Sequence, residues 1–452
     1  MHDLCATDWW RLTPDNTGSY VNGTWSALAS LPAGYGPLYF ASAVLPDGRV
    51  IVEGGEYNFC NPVWTNLGAI YDPTTNTWTS VLPPGFFGGT SRHPNAIGDA
   101  QGVVLANGQF MLADSLTRQA ALLNPKTLTW TATGAGKFDP NDEEGWTLLP
   151  NGQVLAVDAY VPLGGFQYNP LGMNSELYNP ASGKWHSAGS TAVQLWDSAA
   201  NCGGLNAASF ELGPAVLRPD GTVFYTGANS CGAGHTATYD FNTGIWTAGP
   251  DFPGALNIAD GPASLLPNGN VLLDTSPGIF QPPTYFFEFD GTNLNPVSGP
   301  PNASGDTSYF GNMLILPTGQ ILFTDFSDDI EIYTSSGTYN PAWAPRIKSV
   351  PRNVSPGGSY VISGMRFNGF SQGAAYGDDA QAATNYPLVR IINRATGHVF
   401  YSRTHDHTSM AVAFAGLVST HFDVPADQEL GASDLVVVAN GIASPSVTVN
   451  VQ

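Results

Sequence analysis

Residues 43–55, AVLPDGRVIVEGG, decide the fold. Two apolar runs flank Pro46-Asp47-Gly48. An Asp-Gly pair between such runs marks a hairpin, because a two-residue turn demands the positive φ that glycine supplies. The pattern returns as VVLANGQFMLADS (103–115), TLLPNGQVLAVDA (147–159), VLRPDGTVFYTGA (216–228), SLLPNGNVLLDTS (264–276) and LILPTGQILFTDF (314–326). A unit that recurs about every fifty residues is a repeat whose apolar face is buried against its neighbours. Six hairpins predict six units.

Four of the hairpins lead to a third strand, a turn and a tryptophan: YDPTTNTW (71–78), LNPKTLTW (123–130), YNPASGKW (178–185) and YDFNTGIW (239–246). FEFDGTNL (287–294) keeps the pattern without the tryptophan. The combination predicts four-stranded blades of kelch type in an all-β propeller, six-bladed with seven left open. GSYVNGTWSAL (18–28) has the tryptophan but no hairpin of its own, and the sixth hairpin lacks a clear fourth strand. The N-terminal strand is therefore expected to complete the last blade and close the ring. From 345 to 452 the sequence reads as short strands and turns of the size of one Ig-like β-sandwich, so the expected domains are 1–344 and 345–452.

The 36 acidic residues against 15 Lys and Arg give a net charge of −21, which argues against a nucleic-acid partner. No apolar run is long enough to span a bilayer as a helix. Only four Lys occur, and the four Cys form no CxxC. These features predict a secreted, monomeric protein whose signal peptide has been removed. Cys202 and Cys231 both lie in Gly-rich segments around the fourth blade and are expected to pair. Cys5 with Cys60 follows by elimination.

A kelch propeller followed by an Ig-like domain resembles the galactose oxidase and glyoxal oxidase family over nearly the whole chain. Ser308-Tyr309-Phe310 precedes LILPTG where that family has a Tyr-His pair. Arg403-Thr404-His405-Asp406-His407 is similar to the Thr-His loop that the family sends from its C-terminal domain into the propeller axis. The resemblance implies Tyr309 as the axial tyrosine and His405 as the axial histidine. It breaks at three positions. Phe310 stands in place of a copper-binding histidine, Asp99 in place of the crosslinking cysteine, and Glu143 in place of the crosslinked tyrosine. Without two imidazoles and a thioether-tyrosine, a copper radical cofactor is not expected.

Reading the same offset in every repeat gives Tyr39, Asp99, Glu143, Leu212, Asp260 and Phe310, all leading into innermost strands. Asp99, Glu143 and Asp260 would crowd round the axis, where carboxylates repel unless a cation or a proton intervenes. They are expected, with His405, to hold a divalent metal (calcium or a transition metal) or to act as catalytic acids and bases, with Tyr309 beside them. Asp114, Asp158, Asp274 and Asp325 fall at the ends of returning strands on the same face, where their ordinary role is to accept backbone N–H bonds. His405 and His407, two apart on a strand, would share one face above this mouth. Arg92 and His93 are candidates for binding substrate from the loop before the second blade. Tyr39, Trp146 and Tyr160 are candidates for a sugar-stacking platform, with core packing as the ordinary alternative.

These residues favour a carbohydrate-active hydrolase or lyase, taking a carbohydrate or another small polar substrate. A non-catalytic glycan-binding propeller and a copper oxidase with altered ligands are the competing readings.

Overall fold

In the computed structural model the chain is an all-β propeller with a C-terminal β-sandwich; residues 1–164, 167–200, 202–377 and 382–452 are described. Each of the six hairpins is the inner pair of a blade. The innermost strands are Ala41–Val44, Gly102–Val104, Thr147–Leu148, Ala215–Leu217, Pro262–Leu265 and Asn312–Ile315. Among the described residues the first four blades have four antiparallel strands each, the fifth has the same four plus two added strands, the short Leu256–Asn257 and an axial one, and the sixth has three. The apolar runs of the inner strands supply the core, where Ile51, Leu112, Leu155, Val223, Leu273 and Ile321 are fully buried.

The turns have three residues rather than two. Leu45 N–H donates to Arg49 O and Gly48 N–H to Leu45 O, and the other five hairpins repeat this pair of bonds. Proline leads five of the six turns and fits a type I turn, whose following residue goes left-handed. The glycine alone therefore takes positive φ, 80° at Gly48 and 90° at Gly269. On the outer edge, the indole N–H of Trp78, Trp130 and Trp246 donates to Ala29 O, Leu82 O and Ser175 Oγ, tying each blade to the preceding unit.

The ring is not closed as expected. The N-terminal segment forms its own hairpin, Trp10–Thr13 with Thr24–Ala27, and adds no strand to the sixth blade. Asp15 Oδ1 accepts from the backbone N–H of Thr17 and Ser19, a local turn that folds the segment back on itself. A cavity of about 530 Å³ lined by Leu12, Trp25, Leu314, Leu316 and Tyr386 lies between this hairpin, the sixth blade and the C-terminal region.

Both expected disulfides are formed, Cys5–Cys60 and Cys202–Cys231. No helix among the described residues is long and apolar enough to cross a membrane.

The sandwich strands run from Arg346 to Val451 around a core of Val354, Ile362, Phe367, Val389, Ile391, Phe422, Leu435 and Val437. Strand Val399–His405 belongs to both layers. Its first half pairs with Leu388–Asn393 and its second half with Leu417–Asp423. The sandwich rests on the propeller face that carries the hairpin turns: His407 N–H donates to Pro46 O, Met410 N–H to Ala106 O, and Arg403 Nη2 to Asp47 O.

From that face one segment climbs the axis. Ala374–Tyr376 pairs antiparallel with Pro262–Leu265 and is the axial of the two strands added to the fifth blade. Gln372 Oε1 accepts Leu148 N–H of the third blade, and Tyr376 O–H donates to Tyr309 O beside the sixth. The visitor to the axis is thus not the loop around His405 but the stretch near Ala374. Ser371, Gly373, Ala374 and Ala375 are small enough to pass between six converging strands. The polar side chains of Arg403, His405 and Asp406 would lose their hydration there.

Candidate functional site: the acidic mouth of the propeller

The innermost strands begin at the face opposite the hairpin turns, and there the axial segment ends among carboxylates. Tyr39, Glu143 and Asp260, at equivalent positions before three different strands, all have left-handed backbones, with φ of 51°, 59° and 49°. Each such residue without a glycine costs on the order of 1–3 kcal/mol, and such strain concentrates at functional sites. A side-chain oxygen of Glu143, one of Glu211 and one of Asp260 lie within 4.8 Å of one another. Gly377 follows the axial strand and passes so near Asp260 that an added Cβ would stand 2.4 Å from its Oδ1.

Electrostatics joins three more acids to this group. Burial, and then the charges of Asp99, Asp260 and Asp142, push the Glu56 carboxyl up to about 8. Burial, followed by Asp99, raises Asp142 to about 8. Burial lifts Asp99 to about 6. Burial and the charge of Asp260 hold Glu211 well above the carboxylate range. At neutral pH the mouth therefore contains protonated and ionised carboxyls side by side.

Aromatic rings line it. Tyr39 stacks on Tyr376 and lies edge-on to Tyr57. Tyr160 stacks on Phe210 at 4.3 Å, and its hydroxyl faces Asp142. Tyr309 lies beside Phe310, which packs on Phe326.

Asp99, Glu143, Asp260, Tyr39, Tyr160 and Tyr309 are thus brought together at the mouth. His93 packs its ring on Trp64 at 4.6 Å, and Trp64 stands beside Asp99, which places His93 one ring away; Arg92 beside it is exposed. Other expectations are corrected. Trp146 is 2% exposed and packs on Trp185 in the core, so it offers no sugar platform. His405 lies on the opposite face, against the turn at Asp47-Gly48. His407 does not share its side, because Asp406 between them has φ 53° and breaks the strand alternation. It is buried instead, bonded through Nδ1 to Thr420 Oγ1.

The returning-strand aspartates have largely structural partners. Asp114 accepts Gly89 N–H, Asp325 accepts Ser327 N–H, and Asp158 faces the Lys137 ammonium. Asp274 is fully buried near Asp306 and Asp325, and burial pushes its carboxyl well up. Glu56, Asp142 and Glu211 were missed by counting a single offset. Glu211 stands one residue before Leu212 and Asp142 one before Glu143, so a window of one residue either side would have found both.

The mouth does not fit a copper radical cofactor. All four cysteines are in disulfides, so no sulfur is free for a thioether, and Phe310 offers no ligand atom. The donors gathered there are carboxylates, which suit a hard cation such as calcium rather than copper.

No protein-family model matches the sequence, and no curated protein does. Among solved structures the chain is similar to a copper-bound fungal alcohol oxidase of the AA5 family, at 13% identity over 99% of this chain and 94% of that one, TM-score 0.48. It is also similar to virginiamycin B lyase from Staphylococcus aureus, at 11% identity over 66% and 80%, TM-score 0.42, and to a streptogramin B lyase, at 10% identity over 92% and 98%, TM-score 0.43. At these identities and scores the likenesses say nothing about chemistry.

The raised carboxyls have a consequence for stability. Between about pH 4, where such groups ionise in the unfolded chain, and about pH 8, the folded protein holds protons that the unfolded chain has released. Stability therefore falls as pH rises through that window. Thermal melts are expected to give a higher melting temperature at pH 5 than at pH 8; a rise from 5 to 8 would contradict the assignment.

Proposed function

We propose that the acidic mouth is an acid–base active site acting on a carbohydrate, as a hydrolase or a lyase. One observation carries the reading: Glu143, Glu211 and Asp260 hold oxygens within 4.8 Å of one another at the axis, with Glu211 kept protonated by burial and Asp260. A proton donor beside an ionised acceptor is what cleavage of a glycosidic bond requires. Glu211 is the acid, and Asp99, ionised above about pH 6, is the base nearest to neutrality. Tyr39, Tyr57 and Tyr160 supply stacking surfaces for a sugar ring.

The excess of carboxyls favours a neutral sugar over a uronate, whose own carboxylate they would repel, so hydrolysis is preferred to elimination. A divalent cation held by Glu143, Glu211 and Asp260 is the second reading, favoured by the same spacing. The test is a panel of neutral and acidic oligosaccharides, with and without chelator. New reducing ends that persist with chelator support the acid–base reading. Activity lost to chelator and restored by calcium supports the second. Saturable binding of an oligosaccharide without turnover of any would make the mouth a lectin site.

A further inference from the structure

On the opposite face, three side chains of the sandwich converge. His405 and His421 are directly paired across strands Val399–His405 and Leu417–Asp423, so their side chains share a face. Their rings stack at 5.3 Å with 18° between planes. Asp406, just past the strand end, has a left-handed backbone that returns its carboxylate to the two rings. Its Oδ2 lies 2.8 Å from His405 Nδ1 and 3.8 Å from His421 Nδ1. Behind His405, Nε2 meets Asp423 Oδ1 at 3.1 Å, and Asp423 is itself paired with Arg403.

We propose that His405 Nδ1, His421 Nδ1 and Asp406 Oδ2 form a binding site for a divalent transition metal of the zinc class, with a fourth position open to solvent. Two imidazoles and one carboxylate are the donors such ions take, and the three ligand atoms lie within 4.8 Å of one another. Tetrahedral ligands at zinc stand about 3.3 Å apart, midway between the two distances at Asp406. The carboxylate on the far nitrogen of His405 supports the assignment most. A metal-binding histidine characteristically gives its other N–H to an acid, which leaves the near nitrogen with its lone pair toward the ion. Asp423 is the positioning residue. The site is accessible: the side chains of His405, Asp406 and His421 are 17%, 58% and 42% exposed.

The test uses the full chain, stripped with chelator and titrated with Co²⁺, following the visible absorption of the four-coordinate ion and its displacement by Zn²⁺. One Co²⁺ per chain is expected. His421→Ala and Asp406→Ala, exposed enough to leave the fold intact by circular dichroism, should weaken binding about 100-fold. Asp423→Asn should weaken it about 10–100-fold without changing the stoichiometry. Glu211→Gln, at the other face, should leave it unchanged. The proposal fails if wild type takes up no Co²⁺ saturably, if His421→Ala and Asp406→Ala bind as wild type does, or if Glu211→Gln removes the ion, which would place the metal at the mouth.

Discussion

Glu211→Gln is expected to lower turnover at the mouth by at least about 100-fold while leaving the protein close to wild type in stability at pH 4 and more stable at pH 9. The glutamine keeps the shape and the hydrogen-bonding capacity of the protonated acid but cannot release a proton. Because burial and Asp260 hold the wild-type carboxyl protonated well above its usual range, the two folded proteins carry the same charge there at pH 4, where the unfolded wild type also keeps most of this proton. At pH 9 the unfolded wild type has released this proton while burial beside Asp260 opposes its release in the folded chain, a cost the variant does not carry. Thermal melts across pH, together with initial rates on the sugar found by the panel, check both halves. A variant less stable at both pH values and undiminished in rate would mean that Glu211 is an architectural acid and that the chemistry lies elsewhere.

Lys137→Met should cost about 3–5 kcal/mol at pH 7, because it removes the cation from a buried group of four acids. Lys137 Nζ lies 2.8 Å from Glu144, 2.9 Å from Glu176, 2.5 Å from Asp139 and 3.7 Å from Asp158, and none of these side chains is more than 5% exposed. Burial alone would lower the lysine, but the four carboxylates outweigh it and keep the ammonium charged. Burial also pushes Glu144 and Asp158 well up, so these two take protons most readily when the cation is gone. The deficit should accordingly shrink at pH 5. Denaturant unfolding at the two pH values measures it, and a loss under about 1 kcal/mol at pH 7 would refute the account. Asp139 and Glu144 bracket Asp142 and Glu143 in the chain, so the same ion pairs anchor the loop that delivers acids to the mouth. The variant should lose activity along with stability.

The propeller was legible because its signal is repeated. Each short turn ending in glycine between apolar runs, four of them Pro-Asp-Gly or Pro-Asn-Gly, points to the same hairpin, and six copies outweigh any local error, including the mistaken turn length. The acids leading into the strands were legible for the same reason, since one register located Asp99, Glu143 and Asp260 together. What was not legible has no period. Glu56 reaches the mouth from the loop after a returning strand, and Glu211 sits one place out of register. The position of His405 was read from its likeness to a loop in another family, whereas a demand on size decides what enters the axis. The small residues from Ser371 to Ala375 meet that demand, and they give no motif to search for. Lys137 carries no sequence signal either, because its four partners come from three separate segments.

The axial strand also fixes an order of events. Gln372 bonds Leu148 across 224 positions of sequence, and Tyr376 bonds Tyr309 at the far rim. On the ribosome, the blades are all made before the piece that passes between them. Until then the fifth blade lacks its axial strand, and the hollow between the inner strands stands open to water. Contacts this distant in sequence form late and slowly. The nascent chain is thus a ring without its spindle, and the acidic mouth is completed only when the segment around Ala374 has emerged and settled between the blades.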